Sequence, residues 1–133
     1  MPAGSAEAVS MRVTSEFFVS ALVRRVFGEG GFAAVSRKGA PEAGAVFICV
    51  DRLDGSFDFY GPAPQAMFSS LPQGRLFESV FERADRETID ARLASEARMD
   101  PDYWLVDIEA RDGRIDLPLV QDEPKPDTNL FRF

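Results

Sequence analysis

The sequence predicts a single α+β domain, a largely antiparallel sheet of about five strands with two helices on one face. Three observations lead there. The chain has 133 residues, the length of one domain, since folded domains commonly run to about 100–150 residues. Hydrophobic residues make up 45% of it, with 12 Phe, so there is enough apolar surface to offset the entropy of ordering the chain. Helical spacing occurs twice, and strand-like runs lie between and after the two helical segments, so both element types share one core. The domain is expected over residues 12–119, with 1–11 as a small, polar, disordered extension and 120–133 as a tail ending in Leu130-Phe131-Arg132-Phe133.

From Thr14 to Phe27 the apolar positions fall in helical rows: Phe18, Leu22 and Val26, then Val19, Val23 and Phe27, leaving only Glu16, Ser20 and Arg24 as a polar row. A helix apolar around most of its circumference is buried on several sides. Thr14 or Ser15 can cap its start, and Gly28, Gly30 and Gly31 end it. Phe32 to Arg37 reads as a strand. Ala45 to Val50 is apolar at every position, so both of its faces should be covered and the strand central. Asp54-Gly55 predicts a two-residue type I′ hairpin turn, with Phe57 to Tyr60 returning antiparallel until Gly61-Pro62. A long loop follows over 61–74, then an alternating strand from Arg75 to Phe81. Asp85 caps a second helix that runs to Met99 with Ile89, Leu93 and Ala97 as its narrow buried stripe. Tyr103 to Ala110 alternates, with Trp104, Val106 and Ile108 on the core face, and Ile115 to Leu119 is expected to pair back after the turn at Asp112-Gly113.

Composition excludes several function classes. The chain lacks His, which removes the usual general base near neutral pH, the commonest zinc ligand and every imidazole triad. A net charge of −7 opposes binding of nucleic-acid phosphates over a wide surface. One cysteine, Cys49, allows neither an intramolecular disulfide nor a thiolate cluster and suits a reducing, cytoplasmic setting. No apolar run is long enough to span a membrane, and the first residues lack the pattern of a signal peptide.

Asp51, Asp54 and Asp58 lack calcium-loop spacing and read as turn and strand-edge residues, so no metal site is assigned. Asp102 and Glu109 lie an odd number of positions apart on one strand and point to opposite faces, which argues against paired nuclease carboxylates. Cys49, inside the most apolar strand, reads as a small core hydrophobe. Charge is uneven along the chain: Arg12, Arg24, Arg25, Arg37 and Lys38 stand against Glu16 and Glu29 within residues 12–38, whereas residues 99–127 are strongly acidic. The candidate binding residues are therefore Arg24, Arg25, Arg37 and Lys38, together with Tyr60 beside the long loop. Arg24 or Arg25 is expected to pair with Asp107 or Glu109, leaving Arg37 and Lys38 for an anion.

The run Thr14-Ser15-Glu16-Phe17-Phe18-Val19-Ser20-Ala21-Leu22-Val23-Arg24-Arg25, with Gly31-Phe32-Ala33-Ala34-Val35, then Asp51-Arg52-Leu53-Asp54-Gly55, Pro62-Ala63-Pro64-Gln65 and Asp100 to Glu109, resembles in order an alphaproteobacterial family, domain of unknown function 1491. The resemblance covers about residues 12–117. It implies a bacterial, cytoplasmic protein of unassigned activity and carries over no catalytic residue.

The favoured functional reading is a non-catalytic binding or assembly module, because the chain has no His and no phosphate-loop or metal-ligand spacing, and its first helix is over-apolar. The alternatives are a small enzyme using carboxylate, Arg and Tyr side chains under the 61–74 loop, and a single-stranded nucleic-acid or tRNA-related binder using the basic N-terminal unit. No cofactor is implied. The partner expected first is a second copy of the chain, forming a homodimer through the first helix or the C-terminal end; a protein partner or a small anion comes next, and neither membrane nor nucleic acid is expected.

Overall fold

A computed structural model describes residues 13–64 and 75–120. The extension expected over 1–11, residues 65–74 of the long loop, and the tail from 121 with its Leu130 to Phe133 end lie outside the described residues. The elements in chain order are α1 (Ser15–Gly28), β1 (Phe32–Arg37), β2 (Val46–Asp51), β3 (Phe57–Pro62), β4 (Phe77–Ala84), α2 (Arg86–Met99) and β5 (Trp104–Glu109). The five strands form one sheet in the order β1-β5-β2-β3-β4. Only the central β5–β2 pair is parallel; the other three pairings are antiparallel.

The caps follow from side-chain chemistry. The Thr14 hydroxyl accepts the Phe17 N–H at 3.1 Å, and the Asp85 carboxylate accepts that of Thr88 at 2.9 Å, each satisfying a donor that the first helical turn leaves free. Ser15, fully buried, donates its hydroxyl to the Gly44 carbonyl at 2.5 Å and so ties the start of α1 to the loop before β2.

Two hydrophobic clusters lie on opposite faces of the sheet. Val19 and Leu22 of α1 pack with Val46, Ile48, Val50, Trp104, Val106 and Ile108. Ile89 of α2 packs instead with Phe47, Cys49, Phe57, Phe59 and Tyr103. The strand contributions differ in parity, and residues of opposite parity point to opposite sides. The two helices therefore do not share one face, as the sequence suggested, but cover one face each. The cause is β2 itself: five of its six residues are buried, on both sides, so each face needs a cover.

Two local features also differ from expectation. Asp51 pairs with Phe57, so the β2–β3 connection holds five residues rather than two. Leu53 and Gly55 take positive φ, at 63° and 92°, while the Asp51 and Asp54 carboxylates accept the N–H groups of Leu53 and Ser56 and brace the longer turn. In β4 the register with β3 shifts twice, which carries Phe77 into the first cluster and Phe81 against the second.

After β5 the chain does not pair back. It crosses the α1 face, where Ile115, Leu117 and Leu119 pack against the first cluster, and reaches the start of β4. There Phe77 donates to the Pro118 carbonyl at 2.9 Å and Val120 to that of Phe77 at 2.8 Å, giving a single parallel bridge between Leu119 and Phe77. Helix α1 and this crossing segment together close the first face.

Candidate functional site

Where α1 and the crossing segment diverge, they leave a cleft of about 420 Å³. Its floor is apolar: Leu22 and Val26 from α1, Ile108 and Ala110 from the end of β5, and Ile115 from the crossing segment. Its rim is charged, with Arg25, Glu29, Arg114 and Asp116. A volume of this order suits a small ligand or an inserted side chain.

The wall formed by the crossing segment rests on a buried ion pair. Asp58 on β3 is 2% exposed and accepts Nε of Arg52 at 2.8 Å on one oxygen and the Arg83 N–H at 2.9 Å on the other. The Arg52 guanidinium lies directly beneath Gly113, so closely that a Cβ built there would come within 2.6 Å of its central carbon. Gly113 has φ of +75° and donates to the Ala110 carbonyl, while Ala110 donates to that of Asp51. The turn at 110–113 is thereby fixed over the pair, and the chain leaves it toward Ile115 and Asp116 in the direction that opens the cleft.

The rim charges are not equally free. Arg25 is anchored on the backbone carbonyl of Asp116 at 2.5 Å, and Arg114 lies 4.0 Å from Asp112. The carboxylate of Glu29 makes no hydrogen bond or ion pair among the described residues, whereas Glu109, paired with Asp51 and opposite in parity to Ile108, turns its side chain toward the α2 face. The cleft therefore presents an apolar floor with the unbonded Glu29 carboxylate on its rim, beside two guanidiniums that keep their charge.

The residues singled out from the sequence do not converge. Arg25 lines the cleft, bonded to Asp116 rather than to Asp107 or Glu109. Asp107 accepts the Ser36 hydroxyl instead. Arg24 and Lys38 are exposed and have no side-chain partner among the described residues. Arg37 donates to the Pro101 carbonyl at 2.6 Å and lies 4.3 Å over the Tyr103 ring, so its guanidinium is already engaged. Tyr60 is half-buried against the first cluster, where burial and then the Asp58 carboxylate push its hydroxyl above the usual value. Sequence reasoning missed Glu29 and Arg114 as rim residues and Arg52 with Asp58 as the support. The parity of Arg52 and Asp58, both on the Ile48 and Val50 side of the hairpin, was the available signal.

The other chemically notable group is inert. Cys49 is 2% exposed, and burial, with the Asp107 charge second, pushes its thiol up to about 12, which leaves no nucleophilic thiolate near neutral pH. Among the described residues no group of three or more acids and cysteines is placed to hold a metal ion, and no helix is long and apolar enough to cross a membrane.

Fold and cleft define a single-domain α+β protein with an open five-stranded sheet, one helix on each face and a ligand-sized opening beside a crossing segment. The chain belongs to the family described as protein of unknown function DUF1491, whose model matches residues 13–117. It is similar to protein Atu0922 from A. tumefaciens, known as a solution structure, with 45% identity over 84% of this chain and 97% of that one and a TM-score of 0.72. It is also similar to a DUF1491 family protein from Caulobacter crescentus CB15, whose crystal structure matches at 34% identity over 82% of this chain and 98% of that one, with a TM-score of 0.65. An NMR structure of a DUF1491 family protein from the same organism matches with a TM-score of 0.64. No curated protein matches the chain.

Proposed function

We propose that this protein is a non-catalytic, cytoplasmic binding module whose cleft takes a segment of a partner protein, an apolar side chain flanked by a basic one. The observation that carries the reading is the cleft itself, an apolar floor of Leu22, Val26, Ile108 and Ile115 with the unbonded carboxylate of Glu29 at its edge. An apolar side chain gains by leaving water for that floor, by about 25 cal/mol for each Å² buried. A neighbouring Lys or Arg gains from the Glu29 carboxylate, and the overall charge of −7 draws basic partners toward the surface. The non-catalytic part of the reading is supported by the state of the polar side chains: Cys49 and Tyr60 are held protonated, and Arg25 and Arg37 are each committed to a backbone carbonyl. The same dispersal of Arg24, Arg25, Arg37 and Lys38 weighs against a nucleic-acid face, which needs cations gathered on one surface.

The test is a titration with two blocked dipeptides, N-acetyl-Phe-Lys-amide and N-acetyl-Phe-Glu-amide. The basic peptide is expected to bind about tenfold tighter, a difference of about 1.4 kcal/mol, and to weaken with added salt. Equal affinity for the two, or no binding of either, contradicts the reading.

A further inference from the structure

The two edges of the sheet are protected very differently. At the β4 edge the register shifts twice, Arg83 sits at positive φ, Glu78, Glu82 and Arg83 supply charge, and the Phe77 end is already bonded by Pro118 and Val120. These are the devices by which proteins blunt an edge. At the other edge β1 reads Phe32-Ala33-Ala34-Val35-Ser36-Arg37, with no proline, no charge before its last residue and a single register shift confined to its end, between Val35 and Arg37. Of the six large apolar side chains most exposed in the described chain, three gather there: Phe32 and Val35 on the strand, and Phe27, whose ring meets that of Phe32 edge-on at 5.7 Å. Charge is divided between the ends of this edge. Glu29 precedes it and Glu109 stands opposite Phe32, whereas Arg37 and Lys38 close the other end.

An edge that is acidic at one end and basic at the other is complementary to itself when turned around. We infer that β1 is the interface for a second copy of this chain, pairing antiparallel with β1 of that copy about a two-fold axis to make one continuous sheet of ten strands. A register centred on Ala34 sets Phe32 against Ser36 of the second copy and brings Lys38 of that copy beside Gly30 and Glu29. Val35 then lies diagonally across from Val35 of the second copy, Phe32 packs over that copy's Ala34 and Ser36, and each Lys38 meets one Glu29, so that the charge pair occurs twice about the axis. The interface shares Glu29 with the cleft rim but none of the floor residues Leu22, Val26, Ile108 and Ile115, so its failure leaves the reading of the cleft standing.

The experiment is sedimentation equilibrium of the full chain from about 5 to 500 μM, a range that brackets weak strand-pairing affinities. A monomer–dimer equilibrium is expected. Val35→Lys, at an exposed position, should abolish the dimer while thermal unfolding stays close to that of the parent. Glu29→Lys and Lys38→Glu should each raise the dissociation constant roughly threefold to tenfold, as like charges then face one another, and the double exchange should restore it. A monomer throughout the range overturns the inference. So does a dimer that tolerates all three substitutions, which would place the contact elsewhere, as does concentration-independent hydrogen-exchange protection of β1 in a monomer, which would mean that the chain covers its own edge.

Discussion

Gly113→Ala probes how the cleft wall is held. The position has φ of +75°, where an alanine costs about 1 kcal/mol more than glycine. The added Cβ would also stand 2.6 Å from Cζ, 2.7 Å from Nη2 and 2.8 Å from Nε of Arg52. A side-chain tip can usually swing away from such a contact. This one is held on Asp58, and moving it leaves a 2%-exposed carboxylate short of a partner, at about 1–3 kcal/mol. The two contributions sum to about 2–4 kcal/mol, or a fall in Tm of about 8–16 °C at about 4 °C per kcal/mol. The assay is a double-mutant cycle by thermal and urea unfolding, with Arg52→Met as the second background. There the steric contribution should vanish and Gly113→Ala should cost only its backbone share of about 1 kcal/mol. The reasoning is refuted if the substitution costs under about 0.5 kcal/mol in the parent, or the same in both backgrounds.

Leu22→Ala and Ile89→Ala each remove a buried side chain from one face of the sheet and should each cost about 2–5 kcal/mol, additively, because their clusters are separated by the sheet; strong coupling in the double variant would put both helices on one side. The Cys49 thiol is raised from its ordinary 9.0 to about 12, so its contribution to stability is complete below about pH 9 and is lost as pH rises toward 12. Cys49→Ala should therefore flatten the alkaline limb of a stability–pH curve, and a limb of unchanged slope would contradict the assignment. The hydrogen bonds from Thr88 hold the Asp85 carboxyl below its usual range, so its contribution is present at neutral pH and lost as pH falls through the folded value. Asp85→Ala should lower Tm at pH 7 and converge with the parent once pH has fallen below the folded value; an equal deficit at neutral and acid pH would mean that the cap does not act through its charge.

Elements with strong local signals were legible in the sequence. Helix α2 begins after Asp85 because a capping carboxylate there precedes a helical stripe, and it stops at Met99 because Asp100 precedes Pro101. The central place of β2 was legible from its unbroken apolar run, and the same run carried the evidence against two helices on one face, since a strand buried on both sides requires two covers. Long-range pairing was not legible. Nothing in Phe32 to Arg37 or Val46 to Asp51 signals that β5, more than fifty residues on, inserts between them and pairs parallel with β2. The hairpin turn was misjudged because Asp-Gly favours a two-residue turn, whereas here the Asp51 and Asp54 carboxylates bond to Leu53 and Ser56 and stabilise five. The cleft was missed for a related reason: its walls come from α1, β5 and the crossing segment, and its unbonded carboxylate, Glu29, looks like solvated surface until those elements meet.

The most direct measurement of the cleft reading is methyl NMR of the full chain titrated with N-acetyl-Phe-Lys-amide. Shifts should concentrate on the methyl groups of Leu22, Val26, Ile108 and Ile115, leave Val46 and Ile89 unmoved, and disappear in Ala110→Trp, whose indole fills the same space. Shifts centred on the α2 face, or an undiminished response in the filled variant, would contradict it.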